Sequence, residues 1–187
     1  MIKPEKDDRI SYMLIGQIYF FTATINSWYD LLVSDRFKKV IIQSLDYLSS
    51  KKLMDIFSFV IMPTHVHFIW RSRGLNGKET AQGSFLKYTA HQFLKILRKE
   101  DPLKLNRFRV DEANKKHEFW QQDPMAVRLF TRKVSMQKLN YIHRNPCTGK
   151  WNLADRPEDY KYSSARFYQS GDTRYSFLKD LRLEKLL

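Results

Sequence analysis

Residues 55–71 read Asp55-Ile-Phe-Ser-Phe-Val-Ile-Met62-Pro63-Thr64-His65-Val-His67-Phe-Ile-Trp-Arg71. Two runs rich in β-branched and aromatic residues flank a Pro-Thr break, so each predicts a strand, and Pro63 marks the bend because it cannot donate to a central ladder. In the second strand His65 and His67 stand at i and i+2. Their side chains share one face, about 7 Å apart at Cα, while Val66, Phe68 and Trp70 turn to the core. Two histidines are too few for a closed structural metal site and leave the open positions that metal catalysis needs. The same spacing also suits two core histidines with satisfied hydrogen bonds.

Outward from this pair the chain alternates strands and helices. Ile18–Ile25 predicts a buried strand, and Ser34 can cap a helix in which Phe37, Val40, Ile41, Ser44, Leu45 and Leu48 recur at helical spacing up to Ser49-Ser-Lys-Lys52. After the histidines, 71–83 reads as a polar loop holding Gly74, Gly77 and Gly83, and 84–99 as a helix through Phe85, Tyr88, Phe93 and Leu97. Short extended stretches follow near 118–122 and 127–130, then a helix from Thr131 to about Asn145 and a short one around 163–168. No repeat or flexible linker divides the chain. The fold class is α+β, an antiparallel sheet covered by helices in one domain over 1–170, with 171–187 as a C-terminal extension.

Composition narrows the function classes. Among 187 residues, 33 Lys and Arg face 20 Asp and Glu, a net charge of +13 that calls for an anionic partner, nucleic acid before all others. With 43% hydrophobic and 14% aromatic residues the chain is too apolar for a disordered basic tail. Its most apolar stretch, near 57–62, falls far short of the roughly 20 residues of a membrane span. The start, Met1 to Arg9, carries charge where a signal peptide needs its apolar stretch. The single Cys147 excludes an internal disulfide and a cysteine zinc cage, which leaves a reducing cytoplasm as the expected compartment.

The last long helix holds a second constellation. At 100° per residue Met136, Leu139, Ile142 and His143 form one stripe, and Val134, Lys138, Tyr141 and Asn145 another. A phenol, an amine and a carboxamide on one face suit a phosphodiester, supplying a nucleophile, a cation and an oxygen ligand. A half-buried tyrosine on an amphipathic helix gives the same pattern. Pro146 pushes Asn145 away from helical geometry.

Together these residues resemble a known family. Val60-Ile-Met-Pro-Thr-His65-Val-His67-Phe-Ile, followed about 75 residues later by Leu139-Asn-Tyr141-Ile-His-Arg-Asn145-Pro, is similar to the single-tyrosine HUH transposases. Ser84-Phe-Leu-Lys87-Tyr-Thr, Phe119-Trp-Gln121 and Pro157-Glu-Asp-Tyr160-Lys-Tyr162-Ser-Ser-Ala165 resemble the branch of REP-associated tyrosine transposases. The resemblance implies a ferredoxin-like sheet, metal-binding His65 and His67, a third amide-type ligand in Asn145, and Tyr141 as nucleophile. It implies a divalent ion, Mg²⁺ or Mn²⁺, and single-stranded DNA beside a hairpin, cut and rejoined through a 5′-phosphotyrosine, by a monomer or a homodimer. A non-catalytic DNA-binding relative, or a metal-dependent phosphodiesterase that uses water, remains open on the same residues.

A free tyrosine has a pKa of about 10, so such a nucleophile needs a cation, and Lys138 is close in sequence. No Gly-rich phosphate loop occurs, as expected when one ester replaces another and no nucleotide is consumed. Charge concentrates around the candidate nucleophile. No acid lies between Asp123 and Asp155, where Arg128, Arg132, Lys133, Lys138, Arg144 and Lys150 all fall. These, with Lys87, are candidate phosphate contacts, and Trp120 is a candidate platform for an unpaired base.

Overall fold

The Pro63-Thr64 break closes as a tight turn, in which Met62 N–H donates to the His65 carbonyl at 2.8 Å. A computed structural model, describing residues 13–112 and 115–186, places an antiparallel hairpin on either side of it. The charged start of the chain, through Arg9, lies outside the described residues.

The elements run β1 (Ile18–Thr24), α1 (Asp35–Ser50), β2 (Met54–Ile61), β3 (His65–Ser72), β4 (Leu75–Asn76), β5 (Glu79–Thr80), α2 (Ala81–Glu100), α3 (Pro102–Asn106), β6 (Arg109–Glu112), β7 (Lys115–His117), β8 (Met125–Arg128), α4 (Arg132–Arg144) and α5 (Ala165–Ser170). The main sheet has the order β2-β3-β1-β8, antiparallel throughout. With α1 between β1 and β2, and α2 between β3 and β8, this is the ferredoxin-like β-α-β-β-α-β arrangement, the first and third strands central. Among the described residues no helix is long and apolar enough to cross a membrane.

The sheet is covered on both faces. Tyr19, Phe21, Val66, Phe68 and Trp70 pack with Phe37, Ile41, Phe85 and Phe93 of α1 and α2. Ile18, Phe20, Val60 and Ile69 pack on the other face with Leu139 and Ile142 of α4. The register of β2 breaks between Ile56 and Ser58, so Phe57 is one residue more than β3 can pair. That bulge changes the phase of alternation: Met54 and Ile56 join the α1/α2 layer before it, Phe59 and Ile61 after it. Without it, Phe59 and Ile61 would turn to the α4 face.

The ends of the helices follow local chemistry, and several elements differ from the sequence pattern. Ser34 and Thr131 cap α1 and α4, accepting from Arg36 N and Val134 N. The expected polar loop 71–83 holds the β4–β5 hairpin, and α2 starts earlier, at Ala81. Thr80 is its cap, accepting from Gly83 N at 3.0 Å, and a Cβ on Gly83 would sit 3.0 Å from the Thr80 hydroxyl, so glycine here permits the close cap. Near 118–122 the chain makes one bridge, Trp120 to Ile25, in place of a strand.

The segment after α5 does not project from the body. Phe177, Leu178 and Leu181 are buried, and Lys179 N–H donates to the Ile56 carbonyl at 2.9 Å. Its charges meet a buried carboxylate: Asp55 receives Arg71 at 2.7 Å, Arg73 at 2.6 Å and Lys179 at 2.5 Å, while Arg71 also reaches Glu184 at 2.7 Å. Burial pushes the Asp55 carboxyl up, but hydrogen bonds from Lys179 and Arg71 outweigh it and hold it below the ordinary carboxylate range. Asp55→Asn therefore removes the main partner of the largely buried Arg71 and is expected to cost about 2–4 kcal/mol in denaturant titration. Arg73→Ala, on the half-exposed side of the cluster, should cost less than about 1 kcal/mol.

Candidate functional site

The β1–β3 register places Thr22 opposite His67 and Thr24 opposite His65. Both histidines are buried on the α4 face of the sheet. Their ring centroids lie 4.7 Å apart. Each Nδ1 has a hydroxyl partner: His67 with Thr22 Oγ1 at 2.7 Å, His65 with Thr64 Oγ1 at 3.0 Å. A threonine hydroxyl can donate or accept here; in the tautomer whose Nδ1–H donates to it, Nε2 keeps its lone pair, the form that ligates a metal. Nε2 of His67 is buried and has no hydrogen-bond partner among the described residues. A buried polar atom without a protein partner is costly, and this nitrogen is free to take a water or a ligand.

Burial, with a contribution from Lys150, lowers the His65 pKa to about 4. Burial, then the neighbouring His65 and Lys138, lowers that of His67 to about 3. Both rings are neutral at physiological pH, as ligation requires.

Helix α4 brings its second face to this pair. The Tyr141 ring lies 5.3 Å from the His67 ring at 67°, and 6.0 Å from Phe20. Phe20 stacks on His67 at 5.3 Å and 23°, fixing the imidazole between two aromatic rings. Tyr141 is nonetheless 49% exposed, so it can reach a solvent-borne substrate. Lys138 Nζ sits 4.8 Å from the Phe20 ring and 6.0 Å from the Tyr141 ring.

Asn145 is buried just past α4 and keeps helical geometry, φ −52° and ψ −45°. The extended shift expected before Pro146 does not occur. The chain passes into a 3₁₀ turn in which proline occupies an early position, where no N–H is needed. Asn145 thus stays one turn from Tyr141, its carbonyl accepting from Thr148.

The remaining candidates separate. Arg132, Lys133 and Arg144 are exposed at the two ends of α4, with Arg132 donating to the Arg182 carbonyl at 3.1 Å. Lys87 is exposed on α2, the layer across the sheet from the histidines, and pairs with Glu79. Trp120 is a core residue: only 7% exposed, it packs with Phe85 and Phe93 and donates its indole N–H to Thr89 at 2.9 Å. It has no free face to offer a base. His143 is structural, its Nε2 sharing hydrogen bonds with Ser164 at 3.0 Å and Ser58 at 3.4 Å.

Sequence reasoning missed Thr22, Thr64, Phe20, Trp28 and Trp151, all in contact with the histidine pair or Tyr141. Only the position of Thr22, an even number of residues from Phe20 and Thr24 in one strand, hinted at a shared face. Among the described residues no group of three or more His, Cys, Asp or Glu could hold a metal. Any ion at the pair therefore takes its further ligands from an amide, water or substrate. The two neutral imidazoles and the buried Nε2 of His67, without a partner among the described residues, fit a divalent ion with open positions.

No protein-family model and no curated protein matches the chain. Among solved structures it is similar to a REP-associated tyrosine transposase bound to a REP hairpin, with a TM-score of 0.57 and 18% identity, covering 91% of this chain and 90% of that one. At that identity the likeness is one of fold.

His143 gives the site helix a pH signature. Burial lowers its pKa to about 4. The unfolded chain takes up a proton near pH 6.5 and the folded one does not until about pH 4, so this contribution is intact above pH 6.5 and is lost as the pH falls to about 4. His143→Gln should remove that dependence: the stability gap between parent and variant is expected to shift by about 3 kcal/mol in favour of the variant from pH 7.5 to 4, followed by denaturation at each pH.

Proposed function

We propose that this protein is a metal-dependent transferase of single DNA strands, in which Tyr141 attacks a phosphodiester held at His65 and His67. The observation that carries the reading is the contact of Tyr141 with the His67 ring, whose buried Nε2 lacks a partner. The fold shared with a transposase bound to a DNA hairpin supports it, and on that ground the substrate is single-stranded DNA beside a hairpin.

His65 and His67 would hold a divalent ion, Mg²⁺ or Mn²⁺, through Nε2, with Asn145 as an oxygen donor. When bound, that ion supplies Lewis-acid polarisation of the scissile phosphate. Thr22 and Thr64 orient the two rings, and Phe20 keeps His67 from turning. The Tyr141 phenol gives its proton to solvent and its oxygen attacks phosphorus. The bond from phosphorus to the 3′ oxygen breaks, and that oxygen takes a proton to become a free 3′-OH. What remains on Tyr141 is a 5′-phosphotyrosine. Attack by an incoming 3′-OH reverses these steps, and no nucleotide is consumed because one phosphodiester replaces another.

Lys138 places positive charge beside the phenol where negative charge develops. The first turn of α4 carries Arg132 and Lys133 and no acid, which adds cations to the positive end of the helix dipole. That arrangement disfavours the isolated helix and favours a bound phosphate backbone.

Tyr141→Phe tests the nucleophile. It is expected to abolish the covalent protein–DNA adduct, seen as a shifted band on denaturing gels after incubation with Mn²⁺ and single-stranded hairpin DNA, while Mn²⁺ binding by calorimetry persists. Metal-dependent cleavage with no adduct would instead assign the attack to water, and DNA binding with neither would leave a non-catalytic module. Thr22→Val, which removes the oxygen that orients His67, should weaken Mn²⁺ binding about 10- to 100-fold and leave the fold intact by circular dichroism.

A further inference from the structure

Two tryptophans that the proposed chemistry does not use stand against His65. Trp28, 59% exposed, lies 6.0 Å from the His65 ring at 68°, and Trp151 lies 5.9 Å from it at 58°. Lys150 Nζ sits 4.9 Å from the Trp151 ring.

The backbone that presents Trp28 is strained. Ser27 and Trp28 take φ of 56° and 55°, two successive left-handed residues without a glycine. Such conformations persist only where surroundings enforce them. Here Ile25 N–H donates to Thr64, Asn26 to Phe119, Trp28 to Ile25 and Tyr29 to Asn26, so the loop is tied to the turn that carries His65. The strain gains little packing in return, since the indole it holds is largely in solvent. Asn152, next to Trp151, also has a positive φ, 40°. An aromatic held out of the core beside a functional pair is arranged for a ligand with a flat apolar face.

Charge selects the ligand. The segment 124–154, which holds Trp151, Lys150 and Lys138, contains no acid, so an acidic polymer is favoured at this rim. We infer that Trp28 and Trp151 form a stacking site for an unpaired nucleobase of single-stranded DNA beside His65, with Lys150 taking the adjoining phosphate. This rests on the strand-transfer reading and places the single-stranded flank of the substrate on the Trp28 side of the histidine pair. Every base has a π-face, so the site tolerates sequence and selects for unpaired strand.

The test is fluorescence anisotropy at fixed salt with a labelled DNA hairpin, blunt or carrying a single-stranded flank. Trp28→Ala and Trp151→Ala are each expected to weaken binding of the flanked hairpin about 5- to 150-fold, with blunt-hairpin binding unchanged and Trp28→Phe largely retaining affinity. One abasic nucleotide moved along the flank should find a position that costs the unmutated protein a similar factor and costs Trp28→Ala nothing further. An unmutated protein indifferent to every abasic position, or an abasic penalty undiminished in Trp28→Ala, overturns the stacking site while leaving strand binding intact. The abasic series on unmutated protein decides the matter even if a variant fails to fold. Failure of the unmutated protein to bind either hairpin would instead overturn the strand-transfer reading, and this inference with it.

Discussion

The 2.7 Å hydrogen bond between Thr22 and His67 crosses from β1 to β3 in the middle of the sheet. It ties the ring that contacts Tyr141 to the strand pairing on which the fold is built. Through the β1–β3 register, a threonine and a histidine far apart in sequence share one face, and the imidazole is oriented by that partner. The Phe20 ring stacked on the same histidine makes the pair rigid before any ligand arrives. A slip of one residue between these strands would send both imidazoles into the α1/α2 layer against Phe37, Ile41 and Phe85, and turn Phe68 and Trp70 to the α4 face.

Placing histidines inside has a cost that the structure meets by keeping them neutral. Burial and the nearby Lys150 and Lys138 all oppose their protonation. A site that is positive in its surroundings yet uncharged at its centre suits a ligand that brings negative charge with it. Tyr141 stays half exposed while its ring contacts the buried His67, so phenol and imidazole meet across the boundary between core and solvent.

Behind the site, several buried polar groups hold helix and sheet together. His143 and Ser164 join α4 and the start of α5 to the bulge of β2, and Asp55 ties the C-terminal segment to β3 through Arg71 and Glu184. The C-terminal segment is therefore part of what supports the sheet, with Phe177 and Leu178 in the α1/α2 layer and Leu181 in the α4 layer. Its apolar residues Phe177, Leu178 and Leu181 fill space that the helices leave open.

The sequence by itself determined the α+β class, the strands around Pro63 and the caps at Ser34 and Thr131, and it offered His65, His67 and Tyr141 as candidates, because each rests on local spacing or on short motifs. It could not show the bulge at Phe57, since a strand apolar on both faces carries no alternation from which to read its phase. It misassigned Trp120, because an aromatic in an extended segment looks the same whether it faces Thr89 in the core or solvent. It missed Trp28 and Trp151, because nothing in their neighbourhoods in sequence records a distance to His65. Asn145 stayed helical against its proline because the following 3₁₀ turn needed no donor there. Only the tertiary structure decided which partners each histidine has and which aromatics surround it, because these are distances between strands and loops far apart in the chain, set by register and packing.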